Sequence, residues 1–405
     1  MMKLSKNNRN ALISAIVASG TDDLNVMFLA FSLTSMITDL GISKTAGGFA
    51  STITNLGMLL GGLLFGVLAD KYNTFKVFRW TIIIFSVATA LIFFTTDIYY
   101  LYVMRFIAGI GVGGEYGVAI AIMAGLVPKE KMGRISSLNG IVGQIGSILS
   151  AILAGFIAPL FGWRGLFLCG LFPLLIVLWS YMAVDANQVS DFDAHEAKDV
   201  VTGKISDLFA SPQLIAQTVA LSVMTTVQIA GYFGMMNWLP SIMQAQAGVS
   251  VSHSNMWMIT TILGMCLGMV TFGQFLDKYG PKIVYTVFLL SSAVSVYLFS
   301  FATTEWTLLI GGAIVGFFVN GMFAGYGAMI TRLYPHRIRS VANNVILNIG
   351  RAIGGFSSLA IGYILERSNV SVVMIFLASL YVLSLIAMLS IKNLSPKLYA
   401  QLGNE

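Results

Sequence analysis

Long apolar runs, each of about 18–25 residues and separated by short charged clusters, dominate this sequence. A run of that length crosses the roughly 30 Å hydrocarbon core of a bilayer as an α-helix. Lipid offers backbone N–H and C=O groups no water to bond with, so such runs fold as helices that satisfy their own backbones. Only 10% of the residues are charged, against roughly 25% in soluble globular proteins. The pattern predicts an all-α polytopic membrane protein and excludes soluble domains.

The charged clusters fix the predicted topology. We place twelve transmembrane helices at about 11–36, 46–69, 77–96, 99–126, 135–160, 164–184, 213–240, 254–276, 282–302, 306–331, 340–365 and 371–391. With Met1 inside, eighteen of the 23 Lys and Arg residues fall in cytoplasmic segments, and only Lys44, Arg164 and Arg367 fall outside. This positive-inside distribution predicts a multi-pass protein of the inner or plasma membrane with both termini in the cytoplasm. The pI near 9.2 therefore reflects topology, and we expect no nucleic-acid partner.

Enzymatic and metal-binding patterns are absent from the sequence. The two cysteines, Cys169 and Cys266, and three scattered histidines form neither a disulfide framework nor a metal-ligand spacing. No H-E-x-x-H, no G-x-S-x-G and no paired acid–histidine cluster occurs. The glycine-rich run at 111–115 lies within a span without a preceding strand, so it is not a dinucleotide-binding loop. We therefore expect no enzyme activity, no metal and no cofactor.

A polar segment between the sixth and seventh spans divides the chain nearly in half. We predict an N-terminal six-helix bundle at 1–184, a cytoplasmic linker at 185–212 and a C-terminal six-helix bundle at 213–405. The two halves are related by a repeat, because Gly66–Tyr72 returns as Gly273–Tyr279 at a distance of 207 residues. The same offset carries Gly109 onto Gly316, Pro128 onto Pro335, and Gly143 onto Gly350. One offset that holds across spans and loops indicates internal duplication.

Two bundles of six helices related by duplication resemble the plan of the major facilitator superfamily. The repeated loop resembles that family's G-x-x-x-D-[RK]-x-G-[RK]-[RK] motif, although the first copy has Asn73 where glycine is usual. We predict that four charges in the two copies latch neighbouring helices and gate the transporter: Asp70, Lys71, Asp277 and Lys278. The alternative is a purely topogenic role, but acidic residues contribute little to topology.

Five ionisable residues fall inside predicted spans: Asp22, Asp23, Arg105, Glu115 and Arg351. Each costs about 2.5–3.5 kcal/mol at the membrane centre and is therefore a candidate functional residue, the alternative being a buried structural pair or an interfacial position. Asp22 shares a polar helix face with Ser19 and Asn25 and is preferred over Asp23, whose face is apolar. We expect Arg105 to lie near the outer interface.

The intramembrane charges predict coupled transport of an anion. Burial favours the protonated form of a carboxyl group, so we predict that Asp22 and Glu115 carry the coupling proton. A guanidinium binds a carboxylate through two hydrogen bonds, and Arg351 lies at the middle of a polar stripe. We therefore predict that Arg351 binds substrate, aided by further polar and aromatic residues for several of which an interhelical hydrogen bond is the alternative role: Asn25, Gln144, Asn348, Gln228, Tyr232, Asn237, Trp238 and Asn320.

These residues also carry a closer resemblance. Asp22–Asn25 aligns with the D-G-x-D signature of the acid–proton symporters, with Asn25 in place of the second aspartate, so a proton role there is lost. Residues 105–117 resemble span four of the sialic-acid and lactate symporter group, and 161–167 and 350–355 fit the same group. The resemblance implies a secondary transporter that imports a small organic anion with protons by alternating access. We expect the protein to be a monomer.

Two alternatives of the same fold are a proton-coupled sugar porter and a drug/proton antiporter. The sugar porter is disfavoured because no P-E-S-P-R-like string follows the sixth span. The drug antiporter is disfavoured because its pocket is expected to lack a central arginine such as Arg351. The residues alone do not identify which carboxylate is carried.

Overall fold

The computed structural model describes residues 4–127, 129–189 and 204–394, which are almost entirely helical and contain no β-strand. Pro128 and the central part of the predicted linker lie outside the described residues. The helices are α1 (Lys6–Leu40), α2 (Lys44–Lys71), α3 (Thr74–Leu91), α4 (Ile98–Leu126), α5 (Lys129–Leu168), α6 (Pro173–Ala183), α7 (Pro212–Ala247), α8 (Val251–Tyr279), α9 (Pro281–Phe299), α10 (Glu305–Gly321), α11 (Phe323–Leu333), α12 (Arg339–Gly354), α13 (Ser357–Arg367) and α14 (Val370–Ser390).

Short polar residues set the helix starts. The side-chain oxygens of Ser43, Asn73 and Asp97 accept hydrogen bonds from backbone N–H groups in the first turns of α2, α3 and α4. These bonds satisfy donors that have no partner within the helix. At the other end, α1 stops at Gly41 and α7 at Gly248, both in the left-handed conformation that glycine adopts without steric penalty. The apolar runs are thus separated by local capping chemistry.

Eleven helical segments of the described residues are long and apolar enough to cross a membrane. One of them, Leu138–Ala183, has 46 residues, more than twice the length that the hydrocarbon core requires. It is divided at Gly162, whose φ of 69° breaks the helix. Directly afterwards, Trp163 and Arg164 both donate to the carboxylate of Asp39 near the end of α1. This segment therefore supplies the predicted fifth and sixth spans, and twelve spans result.

The described residues group into two compact units. Unit 1 contains the described part of Met1–Asp199 together with Val251–Met256, and unit 2 contains the described part of Val200–Ser250 and Trp257–Glu405. Unit 1 holds α1–α6 and unit 2 holds α7 and α9–α14 with most of α8. The predicted linker at 185–212 stays a prediction, because its centre is not described.

In unit 1, the backbones of α2 and α4 touch without side chains between them. A Cβ atom on Gly57 would overlap the carbonyl oxygen of Phe106, and one on Gly61 would overlap that of Ile110. Glycine permits this close approach. In lipid, helix association is driven by such close packing and not by the hydrophobic effect. The two helices therefore form a tightly packed pair.

Unit 2 contains the same crossing between α8 and α10. A Cβ on Gly264 would overlap the carbonyl oxygen of Ala313, and one on Gly268 would overlap that of Phe317. All four residues lie 207 positions after their counterparts in unit 1. The duplication that the sequence predicts is therefore present in individual backbone contacts.

The two units differ in the continuity of the corresponding spans. The tenth span is broken at Met322, between α10 and α11, and the eleventh is broken at Gly355 and Phe356, between α12 and α13. Their counterparts in unit 1 are α4, which is continuous from Ile98 to Leu126, and α5, which is helical up to its break at Gly162. Interrupted helices at membrane depth are typical of transporter binding sites. The break in the eleventh span follows Arg351 by one helical turn.

Candidate functional site

A pair of buried carboxyl groups lies inside unit 1. Asp22 on α1 is 5% exposed and Glu115 on α4 is fully buried. Their side chains are within hydrogen-bonding reach of each other. Among the described residues, no donor bonds to any of the four carboxylate oxygens. The structure therefore brings together the two residues predicted for proton coupling.

The environment of this pair limits its charge. Two ionised carboxylates in contact repel each other, and a buried charge without a partner is strongly disfavoured. A single proton shared between Asp22 and Glu115 converts that repulsion into a hydrogen bond. The arrangement is chemically suited to take up and release one proton.

The fold itself does not require these acids. At the 207-residue offset, Asp22 corresponds to Ile229 and Glu115 to Met322 in unit 2. Both counterparts are apolar and buried, with exposed fractions of 3% and 0%. Corresponding positions of the repeat are thus filled by apolar side chains in one unit and by carboxyl groups in the other.

The neighbouring residues of α1 have different surroundings. Asp23 is half-buried and its Oδ2 lies against Gly143 of α5, where a Cβ atom would collide with it. Asn25 is buried and its Nδ2 donates to the Thr21 carbonyl at 2.7 Å. Adjacent side chains leave a helix about 100° apart, which explains why Asp22 alone of the two aspartates faces Glu115.

Gln144 on α5 is also buried in unit 1. Its Oε1 accepts no hydrogen bond from the described residues. At the corresponding position of unit 2, Arg351 is half-buried on the last turn of α12, and Asn348 is half-buried one turn earlier. Their proposed contacts with substrate stay predictions.

Two of the α7 candidates form interhelical hydrogen bonds. The Gln228 Nε2 donates to the Val319 carbonyl of α10 at 2.9 Å. The Trp238 Nε1 donates to the carbonyl and hydroxyl of Ser358 on α13, at 2.9 and 3.1 Å. Both side chains connect helices within unit 2, as the alternative interpretation expects. Asn237 is buried and donates to the Phe233 carbonyl of its own helix at 2.5 Å.

Tyr232 and Asn320 line a small cavity within unit 2. Its other walls are largely apolar and include Met235, Met236 and Met265. Methionine side chains are flexible and polarisable, so they adapt to ligands of irregular shape. The structure thus brings these two predicted substrate-binding residues together, although the small cavity holds no more than a part of a ligand.

The predicted gating residues lie at helix ends. Lys71 is exposed at the end of α2, and Asp277 and Lys278 are exposed near the end of α8. The Lys278 Nζ lies 5.1 Å from the centre of the Tyr279 ring. The side chain of Asp70 lies outside the described part of the chain. The gating role of the four residues stays a prediction.

Arg105 is buried inside unit 1, and its expected place near the outer interface stays a prediction. It is 2% exposed, and its Nε donates to the Thr54 hydroxyl of α2 at 3.0 Å. The position of Arg105 along α4 indicates its distance from the helix end. Only the packing of α2 against the side of α4 that carries Arg105 shows that the side chain is buried. The 207-residue offset carries a signal, because it pairs Arg105 with Gly312 and thereby identifies a charge that the other half lacks.

A second arginine of unit 1 is buried, although the sequence suggests only a topogenic role. Arg79 on α3 is 5% exposed and donates to the Ser180 hydroxyl and to the carbonyls of Ser180 and Val184. Its guanidinium also lies over the rings of Phe75 and Tyr181, at 4.9 and 4.1 Å. These contacts connect α3 to the end of α6.

Comparison with known proteins assigns the chain to a family. The model of the Major Facilitator Superfamily matches residues 15–255 and again residues 221–404. A putative metabolite transport protein of Haemophilus influenzae is 34% identical over 95% of this chain and 96% of its own length. The sialic acid transporter NanX of Escherichia coli is 30% identical over 86% and 85% of the two chains. Other relatives are named as transporters of niacin, cis,cis-muconate, benzoate and gentisate.

The fold is also shared with solved structures. The partially occluded, inward-open xylose transporter XylE of Escherichia coli superposes with a TM-score of 0.78 over 96% of this chain and 98% of its own, at 15% identity. The relatives are membrane transporters and not enzymes. The protein is a multi-pass cell-membrane protein with the predicted all-α fold, and it belongs to the Major Facilitator Superfamily.

Proposed function

We propose that the protein is a secondary active transporter that imports a small organic anion together with protons, by alternating access. The observation that carries the proposal is the buried Asp22–Glu115 pair, which has no cationic partner among the described residues. Such a pair holds a proton in its dry state and loses it when water reaches it. A proton bound on one side of the membrane is then released on the other.

The substrate class is supported by the relatives. Their names include sialic acid, niacin, muconate, benzoate and gentisate transporters, and each of these compounds is or forms a carboxylate. A fixed arginine within a span, Arg351, is suited to bind that group. We further propose that both termini lie in the cytoplasm, on the positive-inside distribution of charge, and that the protein acts as a monomer.

Proteoliposomes test this function directly. With an inward proton gradient, uptake of a radiolabelled carboxylate such as nicotinate or benzoate is expected to exceed its equilibrium level and then decay as the gradient dissipates. A protonophore is expected to abolish the accumulation. Imposing a membrane potential reports the stoichiometry, since each net charge that crosses adds about 2.3 kcal/mol per 100 mV. Liposomes with equal pH on both sides serve as the control, and pH-independent uptake would contradict proton coupling.

The gating residues lead to a separate prediction. Asp277→Asn is expected to slow transport several-fold while equilibrium substrate affinity stays within a few fold. The reason is that Asp277 lies exposed at a helix end, where it affects the exchange between conformations and not the bound substrate. Asp70→Asn is expected to behave in the same way. Initial uptake rates and equilibrium binding, measured on the same preparation, separate the two effects.

Glu305→Gln provides the matched control for this experiment. Glu305 is an exposed acid in the first turn of α10. In the predicted topology this helix end lies on the other side of the membrane from the repeated loop. Its replacement is expected to leave both rate and affinity unchanged. A complete loss of binding in a folded Asp277→Asn variant would show that the loop contributes to the substrate site.

A further inference from the structure

A surface pocket of about 450 Å³ lies in unit 1, where α3 begins and α6 ends. It is lined by residues 181–187 and by two basic side chains of α3, Lys76 and Arg79. Lys76 is exposed and Arg79 is buried. One acid, Asp185, also lines the pocket, and its carboxylate accepts from the backbone N–H of Asn187 at 3.0 Å. Two positive charges against one negative charge leave a lining that favours an anion.

Arg79 has donors left for a ligand. Its Nε and Nη2 donate to the hydroxyl and carbonyl of Ser180 and to the Val184 carbonyl, at 2.6–2.9 Å. The Nη1 group donates to no acceptor in the part of the chain that the structure describes. A guanidinium is planar and rigid, so the bonds to α6 also fix the direction of the Nη1 donors. An oxyanion in the pocket therefore meets donors that are already oriented.

The chain that follows α6 is held in place by side chains from other helices. Asn7 of α1 donates to the Asp185 carbonyl at 3.0 Å and accepts from the Asp185 N–H at 2.8 Å. Asn73 donates to the Ala186 carbonyl at 2.8 Å. Asn73 is the residue that stands where the repeated loop usually has glycine, and its counterpart Gly280 has no side chain to make this bond. The departure from the motif thus helps to build the wall of the pocket.

Unit 2 has the same helix ends without these cations. Helix α9 begins 207 residues after the start of α3, and α14 ends 207 residues after the end of α6. At that offset Lys76 corresponds to Ile283, and Arg79 corresponds to Thr286. The fold therefore forms this junction without the two cations, which are free to serve a role that unit 2 lacks.

Exposed apolar side chains lead from the pocket along α6. Met182, which lines the pocket, is 82% exposed, and Leu178 and Leu175 are exposed as well. Spacings of four and three residues place all three on one face of the helix. Trp80 of α3 is also exposed. Apolar surface of this kind faces acyl chains in a membrane, and tryptophan is typical of the membrane–water interface. The pocket therefore adjoins the surface that lipid covers.

We propose that the pocket binds the phosphate of an anionic phospholipid, with Lys76 and the Nη1 group of Arg79 as the donors. Its acyl chains lie along the exposed face of α6. Lysine and arginine form charge-assisted hydrogen bonds with phosphate oxygens. In the predicted topology this end of the helices is cytoplasmic, and basic pockets between helices on that side bind anionic headgroups. Neither residue belongs to the proposed transport site, so the inference does not depend on the substrate.

Native mass spectrometry of the purified, delipidated full-length protein tests this site. The protein is titrated with phosphatidylglycerol or with phosphatidylcholine, whose phosphate is balanced by its own choline cation. The wild type is expected to bind phosphatidylglycerol several-fold more tightly. Lys76→Gln is expected to weaken that binding about fivefold, the effect of one basic residue at an anionic surface. Lys76→Arg is expected to retain the binding.

Lys392→Gln is the matched control. Lys392 is an exposed lysine after the end of α14, on the same predicted side of the membrane, and it does not line the pocket. Its replacement is expected to leave phosphatidylglycerol binding unchanged. Glycerol phosphate, which has the phosphate without acyl chains, is expected to displace little of the lipid at tenfold excess.

The melting temperature shows whether each variant folds. If Lys76→Gln does not fold, Met182→Glu takes its place, because it adds a negative charge to the lining at an exposed position and is also expected to weaken phosphatidylglycerol binding several-fold. The inference is overturned if the wild type binds both lipids equally. It is likewise overturned if the folded variant binds phosphatidylglycerol as the wild type does, or if glycerol phosphate displaces the lipid.

Discussion

Replacing Asp22 by asparagine, or Glu115 by glutamine, is expected to abolish accumulation of substrate against its concentration gradient. Each substitution leaves a neutral amide that can still hydrogen-bond to the remaining carboxyl group, so unit 1 is expected to fold. The pair can then no longer bind and release the proton, so the flux of protons is no longer coupled to the flux of substrate. Exchange of substrate between equal pools on both sides is expected to survive, because exchange does not require the carrier to lose its proton. Proton-driven uptake and counterflow in the same proteoliposomes distinguish the two activities.

Asp23→Asn is the matched control for this pair. Asp23 is adjacent to Asp22 in sequence and its charge acts on both members of the pair, but its carboxylate lies against Gly143 of α5 and is not the hydrogen-bonding partner of Glu115. Its neutralisation is expected to leave accumulation largely intact. Wild-type accumulation in both Asp22→Asn and Glu115→Gln would remove the pair from the coupling mechanism.

Arg351→Gln is expected to eliminate anion binding. Arg351 lies on the last turn of α12, directly before the break in the eleventh span, and the corresponding residue of unit 1 is Gln144. A glutamine therefore suits the helix at this position but carries no charge to pair with a carboxylate. Arg351→Lys keeps the charge and loses the fork, so binding is expected to weaken by about 1.5–3 kcal/mol. Equilibrium binding measured across pH quantifies both variants.

A second interpretation of Arg351 is that it keeps a carboxylate of the protein ionised. In that case lysine is tolerated and only the pH optimum of transport shifts. Arg367→Gln serves as the control, since Arg367 ends α13 with its guanidinium 4.5 Å from the centre of the Tyr363 ring. Unchanged substrate affinity of Arg351→Gln at every pH would exclude a direct contact with substrate.

The fold was largely predictable because lipid restricts the choices. Apolar run lengths predict spans, and the 207-residue offset predicts a duplication that recurs in the contacts of Gly57 with Phe106 and of Gly264 with Ala313. The breaks in the tenth and eleventh spans were not predicted. Glycines occur throughout the spans, continuous ones included, so their presence alone does not locate an interruption.

The site residues were predictable only where the residue pattern of a single helix distinguishes them. The polar face of α1 separates Asp22 from Asp23, and the structure places Asp22 beside Glu115. Burial of Arg105 depends instead on α2, and burial of Arg79 depends on α6. The sequence indicates where a residue lies along its own helix. Whether the side chain is exposed depends on packing against another helix that is remote in the chain.

The glycine crossings have a consequence for how such a protein diverges. Where two backbones touch, any substitution adds volume that the crossing cannot accept, so these positions are closed to variation. The α1–α5 and α7–α12 pairs have such crossings too, because a Cβ on Gly146 would overlap the Gly20 carbonyl oxygen and one on Gly354 would overlap that of Thr226. Polar side chains on the other faces of these helices carry no such restriction. Changes of substrate can therefore accumulate at polar positions of a helix while the glycine crossings of the same helix preserve the packing. Relatives that are 24–30% identical and named for different acids are consistent with that separation.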